Sequence, residues 1–184
     1  LEKDQEMECY FENRRNGGSN DFDNNLKIAT FNIKFGFCQT CNPFSEELEL
    51  GGSYEQLDRV AELINSLDID IVSLQEVGLD WDLTIVQNQI EYLAWKTNMN
   101  FAFGANREIQ NNIFIHGFWG NAILSKYEIS DLENPAVRYV DYYNQNHCLK
   151  ASIKLDMETE IIVLNTHFES GSTNDEKNNQ INTI

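Results

Sequence analysis

Three polar side chains in this sequence follow short apolar runs, and two of them are of types that bind a hard cation. Asn32, Glu76 and His167 each come at the end of a β-branched, apolar stretch. Strand ends in layered α/β folds converge at one edge where ligands collect, so we expect these three side chains to approach one another. A carboxylate oxygen and an amide oxygen are donors that a hard cation such as Mg²⁺ prefers. The pattern therefore predicts a divalent-cation site with a histidine beside it.

Each of these residues, taken alone, also fits a structural role. Strands routinely end in polar residues, and Asn often stabilises turns through its side chain. A single His inside a protein is commonly a hydrogen-bonded structural group. Residue type and position at a strand end therefore suggest a site without establishing one.

The surrounding pattern indicates which elements position these residues. Apolar alternation predicts strands, and the apolar residues Leu57, Val60, Ala61, Ile64 and Leu67 recur at helical spacing. The predicted elements are strands at 26–33, 71–74, 101–104, 120–125, 148–155 and 160–165, and helices at 54–67 and 82–98, with loops at 36–52 and 106–112. This order favours an α/β or α+β arrangement of layered sheets with helices packed outside.

Length and charge limit the class of protein. The chain has 184 residues and 41% hydrophobic residues, which is enough for one domain with a core. No apolar run approaches the roughly 20 residues that a membrane span needs. The formal net charge is -17, with 13 Lys and Arg residues, and this disfavours broad electrostatic capture of nucleic acid. A local basic patch would escape such a whole-chain count.

The first segment and the cysteines carry less information. Residues 1–25 are acidic, polar and without an apolar period, so we expect a flexible lead-in there and the domain over 26–184. The sequence opens on Leu1 rather than Met and lacks a signal-peptide pattern; we expect the natural N-terminus to lie upstream, and no compartment is assigned. Cys38 and Cys41 form a single CxxC, which fits plain loop thiols, with a local disulfide or a redox motif as the alternatives.

Four segments, in their order along the chain, give the sequence a family resemblance. They run from Ala29 to Ile33, from Asp70 to Val77, from Gly120 to Ser125 and from Leu164 to Phe168. Together these segments resemble the endonuclease/exonuclease/phosphatase superfamily of metal-dependent phosphoester hydrolases, from about residue 26 to the end. The resemblance implies a four-layered sandwich, in which two packed mixed β-sheets are flanked by helices, and a divalent metal, Mg²⁺ or Mn²⁺, at the active site.

The resemblance also implies roles for individual residues. Asn32 and Glu76 match the Asn of the family's first strand and its metal-binding Glu, and His167 matches the His that contacts the scissile phosphate. Asn121 matches a recurrent position whose role we expect to be structural, with substrate contact as the alternative. Gln180 falls where a helix Gln commonly follows the His motif, and we expect it to be structural as well.

The sequence departs from the family in one respect. The GDxN segment and the closing Asp-His pair, which orient and deprotonate the attacking water, do not occur in it. We therefore expect the domain to be incomplete at its C-terminus and the isolated chain to be a poor catalyst. A different class stays open, namely a truncated or degenerate domain that serves as a binding module.

The substrate is a phosphoester under this interpretation. Family members act on DNA, RNA, inositol phosphates and sphingomyelin-like lipids, and the low basicity favours a lipid, inositol or other small phosphate over bulk nucleic acid. A nuclease of the same family is the alternative. The sequence does not indicate an oligomeric state.

Overall fold

The computed structural model describes two β-sheets packed face to face, with two helices on the outer face of the first sheet. It describes residues 9–14, 22, 25–36, 52–82, 84–108, 116–137, 146–168, 174–175 and 178. The predicted α+β fold of two packed sheets is confirmed. Within these described ranges, no helix is both long and apolar enough to cross a membrane.

The first sheet contains five strands in the order β1-β4-β5-β3-β2. They are β1 (Cys9–Glu12), β2 (Ile28–Asn32), β3 (Ile71–Leu79), β4 (Asn100–Glu108) and β5 (Phe118–Ser125). β2 and β3 pair in parallel, whereas every other pairing in this sheet is antiparallel. A parallel pair needs a long crossover connection, and α1 (Tyr54–Ser66) lies within that connection.

α1 follows directly from its apolar spacing. Its buried side chains, Leu57, Ala61 and Ile64, lie on one face, and Ser53 caps its first turn by accepting a hydrogen bond from Gln56 N. The predicted helix over 54–67 is therefore confirmed to within one residue at its end.

The second helix is shorter than its sequence predicts. α2 spans Gln89–Thr97 rather than 82–98. Before it, the Thr84 hydroxyl donates to Trp81 O and Val86 O, which closes a turn, and Asn88 then accepts from Glu91 N as the N-cap. Side-chain hydrogen bonds to the local backbone thus replace the first turns of the predicted helix.

The second sheet is built around β8 (Asn146–Lys154). β6 (Glu128–Glu133) and β7 (Ala136–Val137) pair with its two halves, and β9 (Glu160–Thr166) pairs along β8 from Cys148 to Lys154. The strands predicted at 148–155 and 160–165 are confirmed. β6 was not predicted, because a bulge between Ile129 and Asp131 breaks its apolar alternation.

Two apolar clusters hold the layers together. One lies between the first sheet and the helices and includes Leu57, Leu74, Leu93 and Phe101. The other lies between the sheets and includes Ile71, Ile123 and Leu149. In β5, Ala122 and Leu124 belong to the first cluster and Ile123 to the second, as period-2 side-chain direction requires.

The segment expected to be a flexible lead-in contains a strand. β1 pairs with β4, and the Tyr10 ring packs 5.5 Å from the Phe101 ring and 5.9 Å from the Phe103 ring. Burial raises the pKa of Tyr10 to about 12, because ionisation would leave a charge in an apolar setting. The structure thus differs from the sequence expectation at Cys9–Glu12, since these packing partners are distant in sequence.

Several other sequence expectations fall outside the described residues. These are the CxxC pair, Gln180 and positions 109–112 of the loop predicted at 106–112. Residues 106–108 of that predicted loop belong instead to β4, which is longer than the strand predicted at 101–104.

We predict that two Leu→Ala substitutions on the same helix differ sharply in effect. Leu57 is fully buried, whereas Leu63 is 45% exposed. Leu57→Ala should lower the free energy of unfolding by about 2–5 kcal/mol, because it leaves a cavity under α1. Leu63→Ala, which has the same change in helix propensity, should stay within about 0.5 kcal/mol of the parent. Urea denaturation measures both; equal effects would contradict the packing of α1 on this sheet.

Candidate active site

Asn32, Glu76 and His167 lie together at one end of the two sheets. Asn32 is the last residue of β2, Glu76 lies in β3 and His167 directly follows β9. Asn32 Nδ2 donates to Glu76 Oε1 at 2.8 Å and lies 3.3 Å from His167 Nε2. His167 Nε2 is 3.7 Å from Glu76 Oε1. The structure thus brings together all three residues that the sequence singles out.

The Asn32 amide has a defined orientation. The backbone N–H of Lys34 donates to Asn32 Oδ1 at 2.9 Å. Turning the amide over would place an NH₂ group against that N–H, so the Asn32 amide nitrogen must face Glu76 and His167. Asn32 therefore holds the carboxylate and the imidazole at fixed positions relative to each other.

An unusual turn places the Lys34 N–H. Lys34, Phe35 and Gly36 have φ values of +49°, +55° and +66°, so three successive residues adopt left-handed conformations. A Cβ at Gly36 would lie 2.9 Å from Gly52 Cα, so this position also requires glycine for space. A left-handed residue other than glycine costs roughly 1–2 kcal/mol, so surrounding contacts must stabilise the turn.

Those contacts come from aromatic rings and one buried amide. The Phe35 ring meets the Trp81 ring edge-on at 4.6 Å and the Trp119 ring at 5.6 Å. Gln89, which is fully buried, donates through Nε2 to Phe35 O at 2.8 Å and accepts from Gly78 N at 2.9 Å. The first residue of α2 therefore ties the turn to β3. Sequence reasoning missed Gln89, because it was expected to lie inside a longer helix.

Glu76 lies in a β-bulge. β3 pairs with β5 at Leu74 and again at Val77, and the register shifts between these two residues. Glu76 has a φ of +55°, a conformation that a glutamate adopts only under constraint from its surroundings. Bulges occur beside active sites because they redirect a side chain. Here the bulge turns the carboxylate toward Asn32 and His167, and the side chain stays 21% exposed.

His167 supplies the only imidazole among these three side chains. Its side chain is 28% exposed, so both solvent and a bound molecule can reach it. When neutral with the proton on Nδ1, its Nε2 accepts from Asn32 Nδ2; when protonated, it forms an ion pair with Glu76. In either state the imidazole lies next to a carboxylate and an amide.

Asn121 is placed differently from these three residues. It is fully buried, and its Nδ2 lies within hydrogen-bonding distance of Asn106 Oδ1, His147 O and Asn165 O, at 3.1–3.3 Å. Its side chain therefore connects strands of both sheets beneath the site.

The donor set allows a hard cation at this position. Glu76 offers a carboxylate, and Asn32 offers an amide oxygen if that oxygen exchanges its contact with Lys34 N for the cation. Mg²⁺ usually keeps several waters and uses one or two protein carboxylates together with substrate phosphate, so two protein oxygens fit it. Within the described ranges, no group of three or more His, Cys, Asp or Glu side chains could hold a metal.

Comparison with known protein families gives a match over most of this chain. A model described as the Endonuclease/Exonuclease/phosphatase family matches residues 29–173. No curated protein matches the sequence.

Solved structures share the fold at low sequence identity. An endonuclease/exonuclease/phosphatase from Beutenbergia cavernae DSM 12333 has a TM-score of 0.64 and 15% identity, over 85% of this chain and 42% of its own. A family protein from Leptotrichia buccalis C-1013-b has a TM-score of 0.59 and 15% identity, over 86% and 60%. The mannosyl-6-phosphatase of Bacteroides thetaiotaomicron VPI-5482 has a TM-score of 0.56 and 14% identity, over 85% and 56%. The chain thus spans about half the length of the solved structures that it matches.

Because Glu76 has a left-handed conformation, we predict that a glycine at this position gives a more stable protein than an alanine, the reverse of the order inside a helix. Glu76→Gly should give a free energy of unfolding about 1 kcal/mol higher than Glu76→Ala, because only glycine adopts a positive φ without steric cost. Glu62 lies inside α1 and provides the matched control. There Ala should be more stable than Gly by about 1 kcal/mol. Chemical denaturation of the four variants tests the bulge, and an Ala preference at both positions would contradict it.

Proposed function

This chain belongs to the endonuclease/exonuclease/phosphatase family, and from that premise we propose that it forms part of a divalent-metal-dependent phosphoester hydrolase. Asn32 and Glu76 would hold the metal, Mg²⁺ or Mn²⁺, and His167 would contact the phosphate. The observation that carries the proposal is the approach of these three side chains within 2.8–3.7 Å of one another.

The route by which these residues meet supports the proposal. Three strands from two different sheets deliver a carboxylate, an amide and an imidazole to one partly exposed point. Glu76 reaches that point through a residue with a positive φ, which has a conformational cost. Strained residues of this kind cluster at active sites.

Each side chain has a distinct part in the chemistry. A bound divalent cation would neutralise charge on the phosphate oxygens and on the leaving oxygen. Protonated His167 would donate a hydrogen bond to a phosphate oxygen as negative charge grows there in the transition state. Asn32 would bind the cation through Oδ1, beside the Glu76 carboxylate, once that oxygen exchanges its contact with Lys34 N.

The charge of the chain favours a small phosphoester over a nucleic acid. A net charge of -17 repels an extended polyanion, which needs many simultaneous cationic contacts. A single phosphate at a metal site needs only local neutralisation. We therefore propose a lipid, inositol or other small phosphate substrate.

We predict that the Glu76 carboxylate is required for cation binding. Glu76→Gln removes one negative charge from a two-donor site, so affinity for Mn²⁺ should fall at least about tenfold. Isothermal titration calorimetry of the chain with Mn²⁺ and Mg²⁺ measures this. Glu62→Gln, on the exposed face of α1, removes the same charge elsewhere and should leave the titration unchanged. An unaltered titration for Glu76→Gln would argue against a metal role for this residue.

We also predict that the isolated chain with Mg²⁺ has near-zero turnover on phosphodiesters and phosphomonoesters. The family's GDxN and Asp-His motifs, which would orient and deprotonate the water, do not occur in this sequence. Release of inorganic phosphate from monoesters, and chromatographic detection of the monoester and alcohol products from diesters, provide the measurement across a panel of inositol, lipid, sugar and nucleotide esters. Robust hydrolysis that His167→Gln abolishes would show that the residues present suffice.

A further inference from the structure

A fully hydrogen-bonded amide lies between the sheets beneath the candidate site. Asn165, on β9, is only 2% exposed. Its Nδ2 donates to Leu74 O and to Ala122 O, each at 2.8 Å, and its Oδ1 accepts from Gln75 Nε2 at 2.7 Å. A strand of the second sheet is thereby bonded to two strands of the first, and the amide uses both of its N–H groups and its oxygen.

The bonded residues immediately precede the site residues. Gln75 comes one position before Glu76, and Asn165 comes two positions before His167. Gln75 Nε2 also lies 3.0 Å from Thr30 Oγ1, and Thr30 is two positions before Asn32. Within β2, Thr30 points the same way as Asn32, and Gln75 bonds both Thr30 and Asn165, so these three polar side chains form a layer next to the site.

The network also constrains the bulge that aims Glu76. Asn165 forms hydrogen bonds with the Leu74 carbonyl and the Gln75 side chain. Leu74 and Gln75 are the two residues before Glu76, which has the positive φ. An unfavourable φ persists only where neighbouring contacts over-determine it. Asn165 provides such contacts from the opposite sheet.

Apolar packing alone would not fix this geometry. Ile71, Ile123 and Leu149 already hold the sheets together, but apolar contacts are non-directional and tolerate small sliding movements. Hydrogen bonds at 2.7–2.8 Å are directional and fix the register between the sheets. A shift of about 1 Å is enough to impair a site of this kind.

We propose that Asn165, together with Gln75, is a positioning residue that sets the separation between His167 on one sheet and Asn32 and Glu76 on the other. Its importance for catalysis rests on the proposed function, whereas its effect on geometry can be measured without metal or substrate.

Nuclear Overhauser effects between the Asn32 side-chain amide protons and the His167 ring protons test the proposal. The two nitrogens are 3.3 Å apart, so the parent chain should show this contact. Signals are assigned by their loss in Asn32→Asp and His167→Gln. In Asn165→Asp, which keeps the shape but offers at most one O–H to the two carbonyls, the intensity should fall severalfold or vanish.

Two further variants separate positioning from stability. Gln75→Met removes the bond to Asn165 Oδ1 at nearly constant volume and should also weaken the Asn32–His167 contact. It keeps the proposal testable if Asn165→Asp does not fold.

Asn100→Asp is the matched control. Asn100 is 3% exposed and donates to Tyr127 O. It lies level with Ile71, at the far end of β3 from Glu76. It should lower the melting temperature while leaving the Asn32–His167 contact intact.

The outcomes are distinct from those of the functional proposal. An unchanged contact in folded Asn165→Asp or Gln75→Met would overturn the positioning role, as would an equal loss in Asn100→Asp. Mn²⁺ titration of the parent chain reports separately on the metal site. If the parent chain does not bind Mn²⁺ but the Asn32–His167 contact still depends on Asn165, the proposed function is rejected and the positioning role stands.

Discussion

The parallel pairing of β2 with β3 is the constraint on which the rest of the site depends. In this register Asn32 lies opposite Gln75, so the end of β2 lies beside the bulge of β3 that carries Glu76. An antiparallel pairing would carry Asn32 and Glu76 to opposite edges. The parallel arrangement requires a long crossover, which α1 provides, and the apolar face of α1 covers the strands that it connects. The parallel pairing of the two strands is therefore what allows Asn32 and Glu76 to form a hydrogen bond.

Local conformational cost is concentrated around this edge. Lys34, Phe35 and Glu76 all have positive φ values, and each such residue costs roughly 1–2 kcal/mol. The compensating contacts come from elsewhere in the chain, through the Trp81 ring and the Gln89 amide. This division, with strain at the site and well-packed contacts around it, is typical of functional sites.

Sequence patterning predicted the parts of the fold that depend on local periodicity. The helical spacing of Leu57, Ala61 and Ile64 gave α1, and apolar alternation gave β2 and both long strands of the second sheet. The three polar residues also met as expected, but β3 continues to Leu79, so Glu76 lies at a bulge inside a strand and not at the strand end predicted from 71–74. Their chemical roles stay predictions.

The features that sequence patterning missed arise from contacts between distant segments. The bulge at Glu76 depends on pairing with β5, and its hydrogen bonds come partly from Asn165, about ninety positions away. The early turns expected for α2 gave way to bonds made by Thr84, and β6 lost its alternation to a bulge. Neither the bulges nor the late start of α2 can be predicted from the pattern of neighbouring residues alone. The pattern of neighbouring residues therefore predicts neither the bulge within β3 nor the positive φ of Glu76.

The electrostatics of the site follow from its near neighbours rather than from the net charge of -17. Charges on the surface are screened over about 8 Å at physiological salt, so distant carboxylates act weakly there. In the described part of the chain, Lys27 and Lys126 are ion-paired with Asp68, at the end of β3 away from Glu76. Lys34, two positions after Asn32, has no ion pair among the described residues. Lys34 is thus the basic residue nearest to Asn32 in sequence, whereas the two paired lysines lie at the other end of β3.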